Sequence, residues 1–168
     1  MTTSKSKEDR RHYRSALRKI RAVKDKQKRR TLIETITSLK DSWASEVLLD
    51  SLDDPNEEIR KLITQELSNR GNLDLELVVN KLSHPLWYVK SSALKILGLK
   101  GDKSVLIHFR ALLTEPNVEV RRAVASALGD IGGKESLSLL FKLSKDRNQF
   151  VRASVEEAIR KVSQIRFT

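Results

Sequence analysis

All three prolines of this 168-residue chain, Pro55, Pro85 and Pro116, recur at spacings of 30 and 31 residues, and that periodicity limits the possible folds more than anything else in the sequence. The segments they open read "DPNEEIRKLITQEL", "HPLWYVKSSALKIL" and "EPNVEVRRAVASAL", and a fourth, "DRNQFVRASVEEAI", follows in register without the proline. Aligned, they superimpose Ile59, Val89, Val120 and Val151, then Arg60, Lys90, Arg121 and Arg152, then Leu67, Leu97, Leu128 and Ile159. Gly71, Gly101 and Gly132 recur after the first three segments. Self-similarity at this period belongs to arrays in which each unit buries its apolar face only against its neighbours.

Proline is tolerated in the first turn of a helix, where its missing amide would be unsatisfied in any case, and glycine favours the left-handed position just past the last turn. Each segment from proline to glycine is therefore expected to be one helix. The intervening stretches "SEVLLDSL", "LELVVNKL", "VLIHFRALL" and "SLSLLFKL" space their apolar residues by three and four, so each repeat reads as a helical hairpin. No alternating run of strand length occurs. One period further back, "TLIETITSL" overlies "KLITQELSN" with Arg30 on Arg60, and Thr31 with Glu34 has the pattern of a capping box. Tyr13, Leu17, Ile20 and Val23 form a narrow apolar stripe upstream. The expected organisation is a basic tail over 1–7, a degenerate and strongly basic helical pair over 8–42 that caps the array, and four repeats of about 31 residues over 43–168.

Charge is distributed as unevenly as the repeats are regular. Of the net +11, residues 1–30 supply +10, with 13 Lys/Arg against Glu8, Asp9 and Asp25. With no cysteine there is no disulfide framework and no sulfur-built zinc site. No uncharged apolar run approaches the roughly 20 residues that span a bilayer, and no signal-peptide pattern opens the chain, so a cytoplasmic location is expected.

The repeat resembles the short-period HEAT-like type found in phycobiliprotein-lyase HEAT-like repeats. The resemblance implies an all-α fold, a right-handed α-α superhelix of about five hairpins. It also implies an acid at each inter-helix turn and an arginine six positions later, forming a structural ladder: Asp54, Glu115 and Asp146 with Arg60, Arg121 and Arg152. His84 and Lys90 depart from that pattern in the second repeat. In such arrays the second helices line the concave face.

At about 100° per residue, the positions two before, two after and six after the buried Val fall opposite the core. They are Glu57, Lys61 and Gln65; Trp87, Ser91 and Lys95; Val118, Arg122 and Ser126; and Gln149, Ala153 and Glu157. A groove centred on Trp87, Tyr88, Ser91, Lys95 and Arg122, with Lys61 and Glu57 beside it, is the expected binding site. Its occupant would be a protein or peptide of acidic or mixed charge. Trp87 has two readings, folding back over the neighbouring hairpin or standing in the groove, and the helical phase favours the groove. Trp43 is expected in the core, and His108, beside Phe109, partly buried.

The second expected surface is the basic end: Arg10, Arg11, Arg14, Arg18, Lys19, Arg21, Lys28, Arg29 and Arg30. It suits nucleic-acid phosphates, an acidic partner, an anionic membrane surface or a solvated cap. Three histidines far apart, with no His-Glu motif and no phosphate-cradling glycine loop, point to no catalysis, metal or cofactor. The expected function is a non-catalytic scaffold or adaptor. Its alternatives are a nucleic-acid binder, including a distant relative of HEAT-like DNA-repair glycosylases, and, by family resemblance alone, a lyase or chaperone for chromophore attachment.

Overall fold

A computed structural model describes residues 6–165. Residues 1–5 of the expected tail lie outside that range, and Ser6 and Lys7 cap and open the first helix. The elements are α1 (Lys7–Ala22), α2 (Lys26–Thr37), α3 (Ser42–Asp50), α4 (Glu57–Asn69), α5 (Leu75–Asn80), α6 (Trp87–Lys100), α7 (Leu106–Phe109), α8 (Val118–Ile131), α9 (Gly133–Leu143) and α10 (Gln149–Ile165). Short 3-10 turns follow α3 and α5 and flank α7, and no strand occurs among the described residues.

The chain forms two compact units, Met1–Leu77 and Val78–Thr168. In the first, α1 packs on α3, and α2 packs on α3 and α4 around Ile20, Ile33, Val47, Leu48, Ile59, Ile63 and Leu67. In the second, α6 and α10 both pack along α8, and α9 lies against α8 and α10. Val89, Val120 and Val151 are fully buried, as are Leu97 and Leu128, because the period of 31 returns them to one helix face. Ile159, at the matching place in α10, is half-buried.

The helix starts differ from the sequence expectation by two residues. Pro55 and Pro116 precede the N-caps rather than occupying the first turn. The caps are Asn56 and Asn117, whose side chains accept from the amides of Ile59 (3.2 Å) and Val120 (3.3 Å). Asn148 likewise accepts from Phe150 N–H at 2.9 Å. Asparagine supplies the acceptor that the orphan amides of a helix start require, and proline only fixes the approach. At Pro85 the cap is Leu86, which offers no side-chain acceptor.

The glycine stops hold at Gly101 and Gly132, whose φ values are +69° and +67°. Gly71 has no positive φ. There α4 ends on an extended Arg70, whose buried guanidinium donates to Ser45 Oγ (2.9 Å) and to the carbonyls of Ile36 and Thr37. Gly129 lies inside α8, where a Cβ would stand 2.8 Å from Ala158 Cβ on α10. Gly98 on α6 meets Ala127 of α8 in the same way. Absent side chains thus set the closest approach of the three helices.

The Thr31–Glu34 capping box does not form. Asp25 caps α2, accepting from Lys28 N–H at 2.8 Å, and Thr31 lies inside the helix with its hydroxyl donating to Gln27 O. The capping box belongs instead to Ser6 and Asp9 at the start of α1. His108 is exposed, and Trp43 is half-buried with its ring 5.4 Å from that of His12.

The acid–arginine ladder exists with a different connectivity. Six residues after each acid, Arg60, Arg121 and Arg152 donate to the backbone carbonyls of Asp54 (2.7 Å), Glu115 (2.6 Å) and Asp146 (2.7 Å). The carboxylates themselves take cations 25 residues upstream: Arg29 with Asp54 (2.8 Å), Lys90 with Glu115 (2.9 Å) and Arg121 with Asp146 (2.7 Å). Each rung therefore ties one repeat to the next. Lys90, expected to break the ladder, completes a rung. Arg29 rather than Arg30 holds the ladder position in α2, donating also to Lys24 O at 2.6 Å. His84 replaces the acid within its turn, its Nδ1 accepting from Leu86 N–H (3.2 Å) as Asp54 and Asp146 accept from Asn56 and Asn148 N–H (2.8 Å each).

Candidate functional site

Helices α6, α8 and α10 present their off-core positions to one open groove of about 710 Å³ in the second unit. Trp87, Ser91 and Lys95 line it from α6; Arg122, Ser126 and Asp130 from α8; and Phe150, Ala153, Ser154, Glu157 and Lys161 from α10. A side chain every fourth residue on three helices in common register yields such a wall from sequence alone. Trp87 is 44% exposed, and Phe150 is 58% exposed. Each lies in the first turn of its helix, so two large apolar surfaces meet solvent at the N-terminal ends of α6 and α10. Tyr88 is half-buried and holds the Trp87 ring edge-on, with centroids 5.7 Å apart and planes at 83°.

Most charges on the groove wall are already matched. Arg122 Nη1 donates to both Glu119 oxygens (3.1 and 3.0 Å) while its Nε reaches Ser154 Oγ at 3.3 Å, linking α8 to α10. Lys161 pairs with Asp130, and Arg160 with Glu157 at 2.5 Å. Lys95 is exposed and forms no ion pair with any described residue. Ser91 Oγ is buried without a hydrogen-bond partner. The groove therefore offers two aromatic faces and one uncommitted ammonium.

Of the residues read as groove from the sequence, Trp87, Ser91, Lys95 and Arg122 line it and Tyr88 supports Trp87. Glu57 and Lys61 do not. They stand on α4 of the first unit and pair with each other at 2.8 Å, the ammonium of Lys61 holding the Glu57 carboxyl below its usual range. Phe150 was missed because it lies one residue before the buried Val151, a place taken by Glu58 and Glu119 in other repeats. The aromatic at that place in "DRNQFVR", matching Tyr88 in "HPLWYVK", was the available signal.

The basic end is partly neutralised within its own unit. Half-buried Arg29 pairs with Asp54, and Arg21 meets Asp53 at 3.2 Å. Arg30 pairs with Glu34 at 2.8 Å, and Lys26 with Glu58 at 2.5 Å. Lys19 borders a small pocket with His12, Ile20 and Trp43, and Lys28 is exposed on α2. Arg10, Arg11, Arg14 and Arg18, with Lys7, line one open face of α1. Tyr13, on another side of that helix, donates its hydroxyl to Asp50; burial, reinforced by that hydrogen bond, pushes its pKa up to about 12.

No cluster of three or more His, Cys, Asp or Glu side chains placed to hold a metal occurs among the described residues, and none of their helices is long and apolar enough to cross a membrane. A family model described as HEAT repeats matches residues 75–160. No curated protein matches the chain. Among solved structures, a chain from the complex of CpcE and CpcF of phycocyanin lyase from Nostoc sp. PCC7120 is similar with a TM-score of 0.57 at 19% identity, over 98% of this chain and 68% of that one. A designed armadillo repeat protein in complex with the peptide (KR)4 gives 0.48 at 15% identity, over 89% and 86%. The phycocyanin lyase likeness shows the fold, an α-solenoid of HEAT type.

Proposed function

The chain belongs to the HEAT-repeat family, and on that premise we propose that it is a non-catalytic scaffold or adaptor whose second unit binds a protein or peptide in the groove of α6, α8 and α10. The observation that carries this reading is Trp87. A tryptophan 44% exposed on a groove wall, braced edge-on by Tyr88 and joined by an exposed Phe150, suits an apolar anchor from a partner. Lys95, with no acid of its own, suits a carboxylate on the same ligand. The ligand class that fits is an extended or helical segment carrying a large apolar residue near an acidic one.

The test is selection from a displayed peptide library on the full chain, followed by affinity measurement on Trp87→Ala and Lys95→Glu. Selected peptides should carry that pairing. Truncating a tryptophan at an interface centre costs about 2 kcal/mol or more, roughly 30-fold in Kd. Lys95→Glu should weaken acidic ligands and spare neutral ones. Thermal stability of Trp87→Ala should stay within a few degrees of the parent. Ligands that bind Trp87→Ala unchanged, or a melt lowered by more than about 10 °C, would assign Trp87 to packing instead.

A further inference from the structure

We propose that the exposed face of α1 binds the phosphate backbone of a nucleic-acid duplex without reading its sequence. Lys7, Arg10, Arg11, Arg14 and Arg18, spaced by three, one, three and four residues, fall within an arc of about 100°. All five are exposed, and none of their side chains bonds to another described residue. That separates them from Arg21, Arg29 and Arg30, whose charges Asp53, Asp54 and Glu34 answer. The helix's own acids lie off the arc, and Asp9 is committed to the cap with Ser6.

The face is held in a fixed orientation. The Ser6–Asp9 capping box closes one end, the Tyr13 hydroxyl is anchored on Asp50, Arg21 reaches Asp53, and Ile20 is buried. From Lys7 to Arg18 the axis runs about 16 Å, so a cation stands roughly every 4 Å, close to the axial spacing of phosphates along one strand of a duplex. Four of the five are arginines, whose planar fork matches phosphate oxygens.

The alternatives fit less well. Binding in a membrane interface needs an apolar face beside the cations, and the apolar side of α1 is packed on α3. A protein interface is centred on buried apolar anchors, and this arc contains none. A regular polyanion needs only charge and spacing.

The experiment uses the full chain and fluorescence anisotropy with two labelled 20-base-pair DNA duplexes of unrelated sequence. Both should bind alike, and log K should fall with log salt at a slope of about −4, as expected for up to five neutralised phosphates. Arg11→Glu with Arg14→Glu should flatten the slope by about two and weaken binding by at least about 30-fold near 0.1 M salt, with an unchanged melting temperature. Arg11→Lys with Arg14→Lys should keep the slope, and Trp87→Ala should bind DNA as the parent does. The proposal fails if no binding appears at about 50 mM salt or if the double Glu variant binds normally. It fails equally if polyglutamate or phosphatidylserine vesicles occupy the face more tightly than the duplex.

Discussion

Replacing Arg121 with alanine should be among the most damaging single changes in the second unit. Arg121 is 4% exposed and its guanidinium makes four bonds: Nε and Nη2 to the two oxygens of Asp146 at 2.7 and 3.0 Å, and Nη1 to the carbonyls of Glu115 and Pro116 at 2.6 and 3.1 Å. Arg121→Ala leaves the Asp146 carboxylate buried with only the Asn148 amide, at 2.8 Å, as an identified remaining donor. Breaking a buried pair by removing one partner costs about 3–5 kcal/mol, because the surviving charge keeps its desolvation penalty. At roughly 3 °C per kcal/mol for a chain of this size, the melting temperature should fall by about 10 °C. Arg121→Lys should cost less, since the Lys90–Glu115 rung shows that an ammonium can span the gap, though it forfeits the forked contact. Urea unfolding of Arg121→Ala, Asp146→Ala and the double variant closes a cycle in which the double should fall short of the summed singles by about 2 kcal/mol. The hydrogen bond from Arg121 also holds the Asp146 carboxyl below its usual range. That contribution is present above the ordinary carboxylate range and is lost as pH falls through the lowered folded value, so Asp146→Asn should flatten the acid limb of the stability curve. A loss below about 1 kcal/mol for Arg121→Ala, or additive singles, would refute the reasoning.

Two other expectations concern packing and titration. Gly129→Ala should destabilise by about 1–3 kcal/mol in urea despite alanine's better helix propensity, because its Cβ would lie 2.8 Å from Ala158 Cβ, whereas Gly71→Ala, with nothing within 4 Å, should be near neutral. Tyr13, with its pKa raised to about 12, should give an ultraviolet step near that pH that Tyr13→Phe abolishes; stability should be intact below pH 10, lost as pH rises from about 10 to 12, and less steep there in the variant.

What could be read in advance followed the strength of the constraint at each position. The buried Val and Leu positions were legible because a core face admits few residues and the period of 31 repeats the demand. Helix starts were misplaced because proline draws attention, while the Asn after it, which carries the hydrogen bond, is common in loops. The ladder's true pairing needed a distance: acids and arginines six apart in sequence suggest a partnership that the fold assigns to residues 25 apart. Likewise the excess charge of residues 1–30 was plain, but which cations are answered by Asp53, Asp54 and Glu58 depends on contacts among helices of the first unit. Phe150 was hidden by its offset of one residue from the phase used to choose the groove.

The head-to-tail ladder also bears on how long such a chain can be. Except at His84, each repeat carries an acidic acceptor at its leading turn and a donor on its second helix, so it offers to the following repeat what it takes from the preceding one. Copying residues 115–145 and inserting the copy before Asp146 would create one new junction, Arg121 against the copied Glu115, whose donor and acceptor are both already supplied. No buried charge would be stranded, and the Gly-to-Ala contact between neighbouring second helices would recur with it. The array can thus grow by duplication without prior change to its joints, while the exposed positions of the new copy are free to diverge and extend the groove.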